Sequence, residues 1–209
     1  MRACQGSDGA ALEGRIFAIG ALRYPDVKRI ALDIDSTLHH YWDLLERIVR
    51  DRHGVSLPYA EQRDWGITVL AVEDLRAAVT ETHSEENIAG AEPYPGAVEA
   101  VSAWHEAGHW IHVTSHRAEH TCAATARWLE RIGLPYDDLH CSWDKISRCV
   151  ELEIDILVDD SPVNIQRALE AGITPATILH PWNEEAAADG DVITGRDWYE
   201  LRARLEPVL

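Results

Sequence analysis

The stretch IALDIDST, residues 30–37, decides the fold. A short apolar run ends in two carboxylates, Asp33 and Asp35, followed by Ser36 and Thr37. Such a run is too short for a helix and reads as a buried strand. A second run of this kind, Ile154 to Val158, ends in Asp159 and Asp160. In a parallel sheet the carboxyl ends of the strands form the crevice in which ligands bind. If the two strands are neighbours, four carboxylates converge there. Buried carboxylates without partners raise one another's pKa. A hard cation relieves that repulsion, and oxygen ligands with retained water suit Mg²⁺.

Outward from these runs, strand and helix signals alternate. The sequence predicts a strand over 28–34, then helices over 42–53 and 70–82, the first stopped by Gly54, with a short helix near 59–64. The polar, Gly- and Pro-containing segment 84–96 reads as a return linker. A helix from Pro95 to about Ala107 is stopped by Gly108, and WIHVTS (110–115) follows as a strand. A helix over 118–132 ends at Gly133. LHCS gives a short strand, 144–152 a helix, DILVD a strand, 161–172 a helix, TPATILH a strand and 195–206 a last helix. The alternation predicts an α/β fold, a doubly wound parallel sheet with helices on both faces. Residues 1–25 read as an N-terminal extension, 26–39 and 90–209 as the core, and 40–89 as a helical insertion after the first strand.

The 209 residues suit one domain with a modest insertion, and 46% of them are hydrophobic. No apolar run reaches the roughly 18 residues of a membrane span, and the N-terminus lacks the pattern of a signal peptide. Acidic residues number 36 against 19 basic ones, a net charge of −17. That balance disfavours nucleic-acid polymers and anionic membranes as partners, but not a small anion held beside a cation. Cys4, Cys122, Cys141 and Cys149 form no C-x-x-C pair. They read as reduced thiols of a cytoplasmic protein.

Two further strand ends carry complementary groups. Thr114 and Ser115 offer hydroxyls ahead of a helix, where a phosphate oxygen is well received. Lys145 opens another helix and can reach the same anion. A nucleophile, an acid/base, a hydroxyl, a lysine and metal-binding acids are the set that phosphoryl transfer through an aspartyl-phosphate requires. Each piece has a plainer alternative: D-x-D as a capped turn, DDSP as a helix N-terminus, and the lysine as solvated surface. Their order and placement at strand ends make the set specific.

ALDIDSTL, HVTSHR, DKIS and ILVDDSPVNI, in this order, resemble the haloacid dehalogenase superfamily of phosphohydrolases. YPGAVEAV, EAGITPATIL and HPWNEE extend the likeness, which is greatest to the 5′(3′)-deoxyribonucleotidase type. The resemblance implies Asp33 as nucleophile and Asp35 as acid and then base. It implies Mg²⁺ on Asp33, the Asp35 carbonyl, Asp159 and Asp160, and a phosphoryl group on Thr114, Ser115 and Lys145. Thr37 would stabilise the turn after the acids. The insertion would be a helical cap over the site, and the substrate a small phosphomonoester such as a nucleoside monophosphate. A sugar-phosphate or phosphoprotein phosphatase, or a binding protein without turnover, remains an alternative. Ser36 stands where many relatives have glycine, and His39 and His40 have no assigned role. Tyr41, Trp42 and Trp65 are candidates for stacking on a base, with burial in the insertion's core as the alternative.

One motif competes. His105-Glu106-Ala107-Gly108-His109 matches the zinc-binding H-E-x-x-H. Both histidines must lie on one continuing helix. Gly108, and the β-branched residues that follow at once, predict a helix end between them.

Overall fold

The computed structural model describes residues 27–64, 66–188 and 190–209. The expected extension over 1–25, Cys4 and Trp65 lie outside the described residues. Among the described residues six strands form one parallel sheet: β1 (Arg29–Leu32), β2 (Trp110–Ser115), β3 (Asp138–Cys141), β4 (Ile156–Val158), β5 (Thr174–Ile178) and β6 (Ile193–Gly195). Their order is β3-β2-β1-β4-β5-β6. The chain winds outward from β1 to β3, crosses back to β4 beside β1, and winds out the other way. The crevice at that reversal is the ligand site of open α/β sheets. β1 and β4 are central, so their residues are apolar on both faces: Ile30, Ala31, Leu32, Ile156, Leu157 and Val158 are all buried.

Helices α4 (Ala97–Glu106), α5 (Cys122–Ile132), α6 (Lys145–Glu151), α7 (Pro162–Glu170) and α8 (Trp198–Leu205) flank the sheet. The larger cluster joins Ile30, Leu32, Trp104, Ile111, Val113, Trp128 and Trp198, and a second joins Ala31, Cys149, Leu157 and Ala168 on the other face. Between β1 and α4 stand α1 (Tyr41–His53), α2 (Val72–Thr82) and α3 (Glu85–Gly90). Helices α1 and α2 share an apolar cluster of their own, with Tyr41, Trp42, Leu45, Val49 and Ala78, and Trp182 of the main body closes it.

Two elements were not expected. Segment 84–96 contains α3, whose Ser84 side chain accepts from Asn87 N and whose Ile88 reaches the main core. A capping serine and one buried isoleucine suffice for a helix of one and a half turns; the Gly and Pro content masked them. β6 is only three residues long, and Gly195 is essential there: a Cβ would lie 2.5 Å from Leu201 N.

Candidate active site

The ladder of β1 continues past the strand, with Asp33 N donating to Val158 O at 2.9 Å. Asp33 and Asp159 thereby leave adjacent strands at the same level. Asp33, Asp159 and Asp160 are all buried, and one carboxylate oxygen from each falls within 4.8 Å of the others. Lys145, the first residue of α6, is buried among them. Its Nζ donates to Asp33 Oδ1 and, at 3.0 Å, to Asp159 Oδ2. Asn164 Nδ2 lies 3.0 Å from both Asp159 oxygens, and Ser161 N donates to Oδ1 at 2.9 Å. Trp182 Nε1 donates to Asp160 Oδ2 at 2.9 Å.

Burial pushes the Asp33 carboxyl up to about 7; Asp159 and Asp35 add to the rise and Lys145 opposes it. Burial, then the Asp33 and Asp159 charges, raise Asp160 well above the carboxylate range. Lys145 stays charged: burial opposes its charge, but Asp159 and Asp33 outweigh it and raise its pKa. Crowding three acids around one ammonium thus disfavours their ionisation together, and a hard cation with oxygen ligands would favour the ionised set.

Asp35 sits in a different setting. Arg117 Nη2 and Nε donate to its Oδ1 and Oδ2 at 2.7 and 3.2 Å. His39 Nε2 lies 2.9 Å from Oδ1, and His83 Nε2, from the end of α2, 3.2 Å from Oδ2. Burial favours the neutral acid, but Arg117 and the two imidazoles outweigh it and hold Asp35 well below the usual range. Arg117 is itself buried and donates from Nη1 to Thr125 Oγ1 at 3.2 Å.

Thr114 and Ser115 are fully buried at the end of β2. Ser115 Oγ accepts from Arg117 N at 3.3 Å, whereas the Thr114 hydroxyl has no hydrogen-bond partner among the described residues. A buried hydroxyl without a partner is costly unless a ligand meets it. Ser36 adopts φ +62°, the left-handed region that glycine fills without strain. Its carbonyl accepts from His180 Nε2 at 2.7 Å, and Tyr59 Oη of the insertion lies 2.7 Å from His180 Nδ1. The Thr37 hydroxyl is buried without a partner; the turn is held instead by Thr37 N and Leu38 N, both on Ile34 O.

A cleft of about 570 Å³ opens on the carboxylates, lined by Asp33, Asp35, Lys145, Asp159 and Asp160 and also by Tyr41, His83, His116, Trp143 and Arg167. Trp143 is 73% exposed and stacks on His116, with ring centroids 5.6 Å apart and an interplanar angle of 18°. Trp42 does not line this cleft, contrary to its expected place at the substrate. It is buried in the insertion's own cluster, with Nε1 donating to Leu57 O and its ring 5.3 Å from that of Trp182.

The structure brings together Asp33, Asp35, Lys145, Asp159 and Asp160. Sequence reasoning passed over Arg117, His83 and Trp143, and singled out His39 without giving it a role. Arg117 lies inside HVTSHR, two residues past β2, but nothing local ties an arginine to an acid 82 positions earlier.

The H-E-x-x-H match is no metal site. α4 ends at Glu106, Gly108 has φ +94°, and His109 lies beyond the helix, accepting from Lys28 N on Nδ1. Among the described residues the one cluster suited to a metal is Asp33, Asp159 and Asp160.

No family model matches the chain, and no curated protein does. Solved structures match its fold. An HAD family hydrolase from Deinococcus radiodurans R1, with bound phosphate and sodium, is 18% identical, with a TM-score of 0.62 over 87% of this chain and 96% of that one. CbbY from Rhodobacter sphaeroides, in complex with phosphate, is 18% identical, with a TM-score of 0.58 over 86% and 99%. D,D-heptose 1,7-bisphosphate phosphatase from B. bronchiseptica, complexed with magnesium and phosphate, is 14% identical, with a TM-score of 0.54 over 88% and 100%. The likeness establishes the fold shared with haloacid dehalogenase hydrolases.

Proposed function

We propose that the chain is a Mg²⁺-dependent phosphatase that hydrolyses a small phosphomonoester through an aspartyl-phosphate on Asp33. The observation that carries this is the buried constellation of Asp33, Lys145 and Asp159 at the crevice between β1 and β4, with the unpartnered Thr114 hydroxyl at the end of the neighbouring strand β2. Phosphate is bound in two of the structures sharing the fold, and magnesium with phosphate in a third.

In this account an Asp33 oxygen attacks phosphorus as the bond to the leaving oxygen breaks. Lys145 and the Thr114 hydroxyl hold the phosphoryl oxygens, with Ser115 supporting the loop after Thr114. Asp35 takes up the proton that the phosphomonoester monoanion brings and passes it to the leaving oxygen, then takes a proton from the water that attacks the acyl phosphate, freeing phosphate and regenerating Asp33. Its environment holds it ionised, the form suited to the second half of the cycle. Mg²⁺ would be held by Asp33, Asp159, Asp160 and the Asp35 carbonyl, and it supplies charge neutralisation at the phosphoryl group. The insertion over residues 40–89 serves as the cap. It reaches the site through His83 and Tyr41, and closing it would exclude water.

The exposed Trp143 on its His116 backing supports a planar leaving group, and we read the substrate as a nucleoside monophosphate rather than a sugar phosphate. Phosphate release from a panel of both classes, with Mg²⁺ and with EDTA, tests this. Release confined to sugar phosphates contradicts the nucleotide assignment, and no release from any compound contradicts the phosphatase.

A further inference from the structure

Behind the Arg117 loop the fold brings two thiols together. Cys122 opens α5 and is half-buried; Cys141 ends β3 and is buried. Their sulfurs lie 2.8 Å apart, well inside the sum of two sulfur van der Waals radii. Both are carried on regular elements. Cys141 is in register with Ser115 on β2, and Ser142 N donates to Ser115 O at 2.9 Å. Helix α5 is anchored in the main core by Trp128 and Leu129. The approach is therefore built into the packing of α5 on β3. Cys149 lies elsewhere, in the apolar cluster on the sheet's other face.

We propose that Cys122 and Cys141 form a reversible dithiol–disulfide site whose oxidant is a small disulfide of the glutathione class. The Cys122 thiolate attacks one sulfur of the oxidant; that S–S bond breaks and one small thiol leaves. Cys141 gives up its proton to water and attacks the Cys122 sulfur of the mixed disulfide, and the second small thiol leaves. Two protein thiols are oxidised to one disulfide, and one small disulfide is reduced to two thiols. Cys122 is the entry point because it is the more exposed. Burial and the neighbouring Cys122 push the Cys141 thiol up to about 12, which disfavours it as the first attacker; in the second step it has only the adjacent Cys122 sulfur to reach. The bond would tie β3 to the helix on which Thr125 holds Arg117. This site does not depend on the phosphatase reading.

The test uses the folded full chain, reduced, desalted and equilibrated with oxidised glutathione, then blocked by alkylation and digested with trypsin without reductant. Cleavage after Arg117, Arg127, Arg131 and Lys145 puts the two cysteines on separate peptides, 118–127 and 132–145. The expected result is one linked peptide, lighter by two hydrogens than the sum of its parts, which dithiothreitol separates. In Cys141→Ser the reaction should stall with glutathione on Cys122. Recovery of the wild-type peptides unlinked, whether alkylated or carrying glutathione, overturns the proposal. A link from either cysteine to Cys149 instead also overturns it.

Discussion

Arg117 lays its guanidinium against both carboxylate oxygens of Asp35, at 2.7 and 3.2 Å, from the far end of the sequence segment that β2 begins. The pair is nearly closed to water: Arg117 is buried and the Asp35 side chain is 17% exposed. Two imidazoles complete the cluster, His39 from the turn after β1 and His83 from the insertion. Asp35 is thus the point at which the sheet, the β2 loop and the helical insertion meet.

Replacing Arg117 with Gln should therefore act on both stability and rate. Breaking a buried ion pair from one side costs roughly 3 kcal/mol, read as a lower urea midpoint. The Asp35 carboxyl, freed of its main cation, should rise toward the ordinary range. In phosphatase assays the acidic limb of the kcat profile then moves to higher pH. An unmoved limb with lower stability would reduce Arg117 to a purely structural role.

Trp143→Ala should leave stability nearly unchanged, since 73% of the residue is already exposed. It should raise KM for nucleoside monophosphates about three- to tenfold, the loss of one stacking contact of about 1 kcal/mol. KM for small sugar phosphates should not move. An equal change for both classes would remove Trp143 as the selector.

Ser36→Gly should stabilise the protein by roughly 1 kcal/mol, because the left-handed φ of +62° is strained for serine and free for glycine. Removing a buried hydroxyl without a partner adds to the gain. The urea midpoint measures it, and a lower midpoint would show that the serine side chain contributes something the geometry does not account for.

His180 governs a pH dependence of stability. Burial lowers its pKa to about 4, against 6.5 for a free imidazole, with the Ser36 carbonyl opposing. Between those values the unfolded chain binds a proton that the folded chain refuses. Stability is therefore complete above about pH 6.5 and falls as the pH drops toward 4. His112 and His116, also lowered to about 4 chiefly by burial, act in the same direction. His180→Asn should flatten the slope of thermal midpoint against pH in that window. An unchanged slope would assign the dependence to other histidines held low by burial, His39 and His109 included.

The sheet and its acids were legible in the sequence because each rests on local information. Ile30–Leu32 and Ile156–Val158 are apolar on both faces, which marks central parallel strands, and the acids follow them directly. Gly54, Gly108 and Gly133 ended helices where expected, each at positive φ. The partners of the acids were less legible. Lys145 was found through its place in a familiar order of motifs, but Arg117 and His83 reach Asp35 across 82 and 48 residues, and no periodicity records such a contact. Trp42 shows the same limit from the other side. Its spacing beside Tyr41 fits a substrate face equally well, and only the packing of Trp182 from the main body decides that it is core.

The central claim is a phosphoryl group carried on Asp33, and the most direct measurement is phosphate release by wild type and Asp33→Asn, each with Mg²⁺ and with EDTA. The account predicts Mg²⁺-dependent release that Asp33→Asn loses by at least about 10³-fold while its thermal unfolding stays cooperative, since the substitution is nearly isosteric. Release by Asp33→Asn at a rate near that of wild type would contradict it.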